Sequence, residues 1–374
     1  MKITDLRPIK FKTRSRYVQG KWGYPCYPLE RLAIEPYEVT TTLIELITDT
    51  GTSGYWWGPG VTPWLKELLI GESPMDREKI WQWSGGNTVV DMLLWDFAGR
   101  YLDQPVHKLL GGYREKIKCY ASCYPNMGSP EVFADHAEAC VEKGYKAYKI
   151  HAYMYFDPVK MEQAPRRPAF PMHDVEVCQA VRERVGPDIV LMLDQAGVYN
   201  YEEALYVGRE IEKLNFFWYE SPMPENKIEP YIRLCENLDI PVCAPEQVGN
   251  LPYSRTDWIV RKACDMGRTE VTHNGITGCR KSISLYESFG MRATIHGGWW
   301  GNMQIYASTD ADTTEYFERG LFAPGLDEEY EKPPPYLKEL CDPMDGEGNV
   351  LVPRKPGLGF ELDWDYIEDN RVDN

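Results

Sequence analysis

Three acidic side chains stand at equal intervals in the sequence, and each one ends a short apolar run. Asp194 follows Val-Leu-Met-Leu, Glu220 follows Phe-Phe-Trp-Tyr, and Glu246 follows Pro-Val-Cys-Ala-Pro, with 26 positions from each acid to the next. Carboxylates at the ends of successive buried strands are how a parallel α/β barrel gathers oxygen ligands around one hard divalent cation. Acids that merely cap strand ends are the alternative, and the regular spacing favours a metal-dependent enzyme.

The segments around these acids alternate between predicted strands and predicted helices. The strands are expected at 117–121, 147–150, 189–194, 216–220, 241–246 and 292–296, and the helices at 130–143, 174–185, 201–213, 228–236 and 276–289. Such repetition predicts a parallel sheet with right-handed crossovers. Because no Gly-x-Gly-x-x-Gly turn follows a strand, a closed barrel is favoured over an open sheet. The Pro- and aromatic-rich insertion 152–172 is expected to lie over the active-site face.

The part of the chain before this repeat has a different pattern. Residues 38–48 are rich in β-branched side chains and run into Asp-Thr-Gly, which predicts a strand and a turn. Residues 88–102 place apolar side chains at helical spacing. Strands followed by helices are typical of an α+β domain. Since 374 residues exceed one small domain, we expect a barrel with an accessory α+β domain.

Composition excludes several classes of function. The formal charge of −16, without a basic stripe, argues against nucleic acid as a partner. No apolar stretch is long enough to cross a membrane, and the amino terminus lacks the apolar core of a signal peptide, so a cytoplasmic protein is expected. The ten cysteines include no Cys-x-x-Cys pair, which predicts buried thiols rather than disulfides or a zinc site.

Three basic side chains are candidates for acid and base chemistry. Lys149 and His151 occupy alternate positions of a predicted strand, so both face the same side of the barrel, where only the mouth tolerates charge. His296 ends the predicted strand 292–296. Histidine titrates near neutrality and can act as a general acid or base. The alternative is a surface lysine with histidines that only form structural hydrogen bonds.

Together, several motifs resemble the mandelate racemase subgroup of the enolase superfamily, including its acid-sugar dehydratases. The resemblance covers nearly the whole chain. Its marks are residues 91–105 (Asp-Met-Leu-Leu-Trp-Asp-Phe-Ala-Gly-Arg-Tyr-Leu-Asp-Gln-Pro), Leu-Leu-Gly-Gly at 109–112, Lys-Ile-His at 149–151, the three spaced carboxylates, Asn-Gly-Ile-Thr at 274–277, His296, and Pro-Gly-Leu-Gly at 356–359 followed by Asp363. Each motif alone is weak, and their combination is specific.

The resemblance implies a fold and a ligand set. The fold is a modified TIM barrel of the (β/α)7β type over 116–325, with an α+β capping domain formed by 1–115 and by the C-terminal segment 326–374. It also implies one Mg2+ per subunit, bound by Asp194, Glu220 and Glu246. The family's members form homo-oligomers, so we expect a dimer or an octamer.

The resemblance also implies a shared first step, in which a base removes the proton alpha to a carboxylate and Mg2+ stabilises the enediolate. Physical chemistry agrees, because such a proton is too weakly acidic to leave unless the second negative charge is neutralised. Lys149 corresponds to the lysine beside the substrate carboxylate. His151 takes the place of an acid or base on one face of the substrate, and His296 acts from the opposite face.

Two positions depart from the family pattern. The family usually has Lys-x-Lys where this chain has Lys149-Ile-His151. The aspartate that normally orients the strand-end histidine corresponds to Thr269, and Glu270 could serve if the alignment shifts by one residue. His273 is a further neighbour. A neutral partner would leave the imidazole of His296 less basic.

The expected reaction is dehydration of a sugar acid, an aldonate or aldarate, to a 2-keto-3-deoxy acid. One group would protonate the beta-hydroxyl while another removes the alpha proton. The alternatives are a racemase or epimerase of a hydroxy acid, or a cycloisomerase of a sugar-acid lactone, using the same groups. A non-catalytic sugar-acid-binding relative is a further alternative, supported by the missing aspartate at 269.

Aromatic side chains in the predicted lid segments suggest a pocket for a polyhydroxylated carboxylate substrate. The candidates are Trp22, Tyr24, Trp56 and Tyr153, and Tyr153 could alternatively supply a phenol. These rings could equally pack against the barrel mouth or a neighbouring subunit.

Overall fold

A computed structural model describes residues 1–15, 37–164, 169–246, 248 and 252–372. Of the pocket candidates, Trp22 and Tyr24 lie outside these residues. Within the described ranges, no helix combines the length and the apolar character needed to cross a membrane. The nine described cysteines are all free thiols.

The N-terminal part forms an antiparallel sheet packed against helices. Its elements are β1 (Ile3–Arg14), β2 (Glu38–Thr48), β3 (Ser53–Trp57), α1 (Pro63–Leu69), α2 (Arg77–Trp83), α3 (Thr88–Tyr101) and α4 (Val106–Leu109). The sheet order is β1-β2-β3, and its inner face is closed by apolar side chains such as Leu6 and Phe11. At the start of α3 the Asn87 side chain accepts a hydrogen bond from Val90 N–H, which satisfies a free helix donor. The predicted strand and helix here are confirmed.

The central part alternates strands and helices. In chain order it contains β4 (Lys116–Cys123), α5 (Pro130–Glu142), β5 (Ala147–Ile150), the short pair β6 (Phe156–Asp157) and β7 (Glu162–Gln163), α6 (Pro171–Val185), β8 (Val190–Asp194), α7 (Tyr201–Lys213), β9 (Trp218–Glu220), α8 (Glu229–Asn237), β10 (Val242–Cys243), a 3-10 turn (Pro252–Arg255), α9 (Thr256–Val260), β11 (Met266–Thr269), α10 (Val271–Ser288), β12 (Arg292–Ile295), α11 (Trp300–Ala307) and β13 (Tyr316–Phe322).

Among the described residues, eight of these strands form one curled parallel sheet. Its order is β12-β11-β10-β9-β8-β5-β4-β13, so the last strand of the repeat returns to the first. Glu318 of β13 is in register with Tyr120 of β4, and Ala293 N–H of β12 donates to the Thr313 carbonyl just before β13 (2.8 Å). The predicted α/β barrel and its separate cap are confirmed.

The C-terminal segment runs along the barrel and reaches the cap. It contains α12 (Asp327–Tyr330), β14 (Asn349–Leu351), which pairs antiparallel with β4, and α13 (Trp364–Asp369). Val372 N–H donates to the Lys10 carbonyl of β1 (2.9 Å), and the Trp364 ring meets the Tyr55 ring at 5.5 Å between centroids. The C-terminal segment is thus attached to β1 and β3 of the cap.

The insertion after β5 contacts the loop that follows β4 and helix α6. Asn126 and Met154 exchange hydrogen bonds between backbone and side chain (2.9 Å each), and Tyr153 N–H donates to Asp174 Oδ1 of α6 at 3.0 Å. None of the described residues from 152 to 164 lines the central cavity. That the insertion covers the active-site face stays a prediction; its described apolar side chains, such as Tyr153 and Phe156, are buried.

Candidate active site

A cavity of about 600 Å³ opens at the carboxyl ends of the barrel strands. The barrel, the cap and the C-terminal segment all contribute to its wall. The charged residues lining it from the barrel are His151, Asp194, Glu246, His296 and Glu318, while Thr13, Thr41 and Trp57 line it from the cap and Tyr336 and Leu337 from the C-terminal segment. In an α/β barrel this end of the strands is where reacting groups converge.

Charged side chains at the base of this cavity form a chain of alternating sign. Lys149 Nζ lies 3.3 Å from Asp194 Oδ2 and 3.1 Å from Glu220 Oε1. Arg268 Nη2 lies 2.6 Å from Glu220 Oε1, and its Nε donates to Glu246 Oε2 at 2.8 Å. The structure thus brings the three predicted ligands together through shared partners, with two protein cations between them.

Lys149 is completely buried, with its ammonium group among carboxylates and over the Tyr120 ring at 5.3 Å. Its Nζ also lies 2.9 Å from Glu318 Oε1. Burial would lower the pKa of Lys149, but the charges of Glu220, Glu318 and Asp194 outweigh it and hold the pKa well above the usual value. An ammonium buried among carboxylates stays charged because removing either sign would leave the other unpaired.

His151 points the same way as Lys149 from β5, as the alternation predicted. Its Nε2 lies 3.0 Å from Asp194 Oδ2, and its Nδ1 lies 2.7 Å from the Cys123 carbonyl, to which it donates. Burial opposes the charged form, and Asp194 reverses this and raises the pKa of His151 to about 10. The imidazole is therefore fixed in orientation and holds a proton beside the cavity.

His296 follows β12 directly and faces the same cavity. Its side chain is 40% exposed, and its Nδ1 lies 3.3 Å from Glu270 Oε2 and 3.7 Å from Glu246 Oε1. Burial would lower the pKa of His296, but Glu246 and Glu270 raise it to about 9. Asn302 Nδ2 donates to the His296 carbonyl at 2.6 Å, which fixes the turn.

Glu270, and not Thr269, is placed beside the imidazole. Thr269 Oγ1 lies 3.4 Å from Cys279 Sγ and accepts from Asn274 Nδ2 at 3.4 Å, so it faces α10. Successive strand residues face opposite sides, and a partner one position later therefore lies on the imidazole's side. His273 Nδ1 lies 2.9 Å from Glu270 Oε2. Burial raises the pKa of Glu270, yet His273 and His296 lower it to about 2.

Two charged residues of the site, Glu318 and Arg268, were not predicted from the sequence. Glu318 lies within the apolar run Tyr-Phe-Glu-Arg-Gly-Leu-Phe of β13 and accepts from Gly297 N–H at 2.8 Å. Arg268 lies in the short strand β11. An isolated acid 22 positions after His296, about one strand-and-helix unit later, was the available signal for Glu318. Arg268 had no periodic pattern around it.

A half-buried acid, Glu225, also joins the end of β9 to the backbone at Glu246. Glu225 accepts hydrogen bonds from Glu246 N–H (2.8 and 2.9 Å) and from Ser221 Oγ (2.9 Å). The backbone that carries Glu246 is therefore tied to the end of β9, although β10 itself ends at Cys243.

Two of the pocket candidates are corrected. Trp56 is 7% exposed and packs against Trp57 and Phe360, because its neighbour Trp57 takes the side of β3 that faces the cavity. Tyr153 is buried, donates through its hydroxyl to the Gly128 carbonyl at 2.7 Å and stacks on Phe156. Neither is among the cavity-lining residues.

The donor set fits a hard divalent cation. Asp194, Glu220 and Glu246 offer carboxylate oxygens, the ligands Mg2+ prefers. Burial, with a contribution from Asp194, raises the pKa of Glu220 to about 8 in spite of Arg268 and Lys149. Because desolvation is the largest cause of this shift, a further positive charge at the site would favour the charged carboxylate. Among the described residues, ligand atoms within 4.8 Å of one another are contributed by Glu246, Glu270 and His296 and by His136, Cys140 and Asp327. Asp194, Glu220 and Glu246 do not form so compact a group, because Lys149 and Arg268 lie between them.

Comparison with known proteins gives one family and several relatives. The model of the enolase C-terminal domain-like family matches residues 132–366. The crystal structure of D-glucarate dehydratase from Agrobacterium tumefaciens complexed with magnesium has a TM-score of 0.89 and 37% identity, with 100% of both chains covered. Arabinonate dehydratase from Saccharolobus solfataricus is 28% identical over 89% of this chain and 91% of its own. D-galactarolactone cycloisomerase from Agrobacterium fabrum is 26% identical over 88% and 91%.

Proposed function

The chain belongs to the enolase C-terminal domain-like family, and from this premise we propose that it is a magnesium-dependent dehydratase. Its substrate would be a sugar acid, an aldonate or aldarate, and its product a 2-keto-3-deoxy acid. Relatives named as dehydratases of arabinonate and glucarate support this class of reaction.

The observation that carries the proposal is the pair of imidazoles in one cavity. His151 enters from β5 and His296 from the end of β12, and both line the cavity at the carboxylate cluster. Dehydration needs two positioned groups, one that removes the alpha proton and one that protonates the leaving hydroxyl. The two histidines meet this need.

Asp194, Glu220 and Glu246 would hold the magnesium ion. When bound, the ion supplies positive charge against the second negative charge that develops on the substrate carboxylate. Lys149, whose Nζ lies 2.9 Å from Glu318 Oε1, is buried behind the cavity wall and would act on that carboxylate through its charge rather than by contact.

The proton transfers follow from the positions of the imidazoles. In its neutral form, His296 would accept the alpha proton, and the C–H electron pair would form a carbon–carbon double bond as the beta C–O bond breaks. His151, which holds a proton beside Asp194, would donate it to the departing hydroxyl so that water leaves. The resulting enol becomes the keto acid by proton transfer to carbon. Glu270 would orient His296 and stabilise its charged form.

Racemisation, epimerisation or cycloisomerisation is the second candidate, because the same two imidazoles could deliver a proton to the opposite face or eliminate an internal oxygen. A cycloisomerase among the relatives supports it. A non-catalytic sugar-acid-binding protein is less well supported, since Glu270 stands where the missing aspartate would act.

The test is a library of mono- and diacid sugars incubated with the protein and Mg2+. Keto acid is detected with semicarbazide, and alpha-proton exchange is followed by NMR in D2O. We expect keto acid from at least one member. Exchange or isomer formation without keto acid would favour the second candidate, and binding without exchange would favour the non-catalytic one.

Variants assign the roles. We expect His296→Asn to lower the rate about a thousandfold, in the range typical of a general base. The control His173→Asn, at a half-exposed histidine paired with Glu176 on α6, should leave the rate unchanged. We expect Glu220→Gln to abolish activity and weaken Mg2+ binding; full activity of this variant would show that the metal assignment is wrong.

A further inference from the structure

Arg268 occupies the space between two of the proposed metal ligands. It is completely buried, with Nη2 2.6 Å from Glu220 Oε1 and Nε donating to Glu246 Oε2 at 2.8 Å. Its Nη2 also lies 3.7 Å from Glu318 Oε2. One guanidinium therefore connects three acids on three different strands or strand ends.

This arginine does not reach the cavity. Of the described residues that line the cavity wall, Glu246 and Glu318 are its partners, while Arg268 itself is absent from the wall. Any effect on the chemistry must therefore pass through the carboxylates that it holds. Arg268 is in this sense a positioning residue.

The arginine is also incompletely satisfied. Within the described part of the chain, neither of its buried Nη atoms has a hydrogen-bond partner, although Nη2 lies within ion-pair distance of Glu220. A buried donor without a partner costs stability. The neighbouring Arg319 on β13 is equally buried, yet all three of its nitrogens are engaged, with Tyr145, Glu331 and Asp342. Arg268 is thus oriented to contact carboxylates, and in this orientation part of its guanidinium has no hydrogen-bond partner among the described residues.

We propose that Arg268 is a built-in counter-cation, which holds Glu220 and Glu246 in place before the metal binds and limits the affinity of the site for Mg2+. The inference rests on the proposed metal centre. A guanidinium cannot lose its proton to make room for a second cation, so its charge opposes the ion throughout. In a buried site this repulsion is only weakly screened.

The two roles of Arg268 predict opposite effects of its removal. Without the guanidinium, Glu220 and Glu246 lose a partner, so the metal-free protein becomes less stable. The same change removes the repulsion, so Mg2+ binds more tightly. A purely structural arginine would give the first effect without the second.

The experiment uses the full chain, freed of metal with a chelator. Mg2+ is titrated into wild type, Arg268→Met, Arg268→Lys and the matched control Arg319→Met by calorimetry, and thermal unfolding is measured with and without Mg2+. We expect Arg268→Met to unfold at a lower temperature without metal and to bind Mg2+ about tenfold more tightly than wild type. Arg268→Lys keeps the charge and should stay within about threefold of wild type, as should Arg319→Met.

Unchanged or weaker Mg2+ binding by a folded Arg268→Met variant would overturn the inference. Should this variant be unfolded without metal, Mg2+ must restore its circular dichroism, and failure to do so at concentrations that saturate wild type would also overturn it. If wild type itself bound no Mg2+, and Glu220→Gln left the calorimetric trace unchanged, the proposed metal centre would fail first.

Discussion

Two buried regions of this molecule surround a carboxylate with different partners, neutral hydrogen-bond donors in one and cations in the other. At the joint between α3 and the start of α10, Asp91 is fully buried and accepts hydrogen bonds from Thr277, through its N–H at 2.9 Å and its hydroxyl at 2.5 Å, and from the Ile276 backbone. At the base of the barrel, Glu318 is also buried but lies beside Lys149 and near Arg268.

The pKa values diverge accordingly. Burial raises the pKa of Asp91 to about 6, and the neutral donors of Thr277 only moderate it. Burial acts in the same direction on Glu318, but Lys149, His296 and Arg268 hold its pKa well below the usual range. Glu220 also has cationic neighbours, yet burial, with a contribution from Asp194, raises its pKa to about 8, above that of Asp91, in spite of Arg268 and Lys149. A buried acid is charged where its cationic neighbours outweigh burial, as at Glu318, and a neighbouring carboxylate such as Asp194 reverses that balance at Glu220.

Removing a cation from the base of the barrel should have the largest effect. Lys149→Met leaves Asp194, Glu220 and Glu318 without their shared partner, so we expect the metal-free protein to lose about 3–5 kcal/mol of unfolding free energy. Urea unfolding monitored by circular dichroism measures this.

The control for this variant is Lys118→Met. Lys118 pairs with Glu315 at 2.8 Å but is 59% exposed, so its loss should cost less than about 1 kcal/mol. Equal losses for the two lysines would mean that the charges at the base of the barrel are not the interdependent set described above.

At the joint, the effect should appear as a pH dependence. The pKa of Asp91 in the folded protein, about 6, lies above its unfolded value near 3.8, so the folded state binds the proton more tightly. The stabilisation is complete below about pH 4 and is lost as the pH rises through about 6, an effect of about 3 kcal/mol. Asp91→Asn cannot titrate and should lack this loss.

The measurement compares unfolding free energies of wild type and Asp91→Asn at pH 4, 5, 6 and 7. Other titrating groups affect both proteins alike, so the difference between them isolates Asp91. We expect wild type to weaken relative to the variant as the pH rises. A difference that is flat across this range would mean that Asp91 is ionised throughout, and the contrast with Glu318 would be lost.

The sequence predicted much of the barrel because its signals are local. Apolar runs ending in Asp194, Glu220 and His296 mark strand ends, and the helix expected at 201–213 has those bounds, fixed by a capping box at Asn200 and Glu203. Such features depend on neighbours in the chain, and a single sequence contains them.

Features that depend on distant partners were not predictable. Glu318 and Arg268 interrupt apolar strands, and only the charges of other strands make their burial tolerable. The choice between Thr269 and Glu270 depends on a shift of one residue, which reverses the face of a strand. The choice between Trp56 and Trp57 is of the same kind, since alternation alone does not tell which side of β3 faces the cavity.

The smallest expected effect tests the neutral hydrogen bonds of the joint. Trp95 Nε1 donates to Thr277 Oγ1 at 2.9 Å, and Arg77 lies over the Trp95 ring at 4.2 Å. Trp81 is a close match, because it is also buried and has Lys281 over its ring at 5.1 Å. Within the described residues, however, Trp81 Nε1 has no hydrogen-bond partner.

Replacing either tryptophan with phenylalanine removes a similar volume, so the difference between Trp95→Phe and Trp81→Phe reports the hydrogen bond. We expect Trp95→Phe to cost about 1 kcal/mol more, since the Thr277 hydroxyl loses a donor while it still serves Asp91. Equilibrium urea unfolding at pH 7 measures the unfolding free energies of both variants and resolves this difference. Equal costs would show that Thr277 holds Asp91 without help from Trp95, and the joint would then depend on one side chain rather than a network.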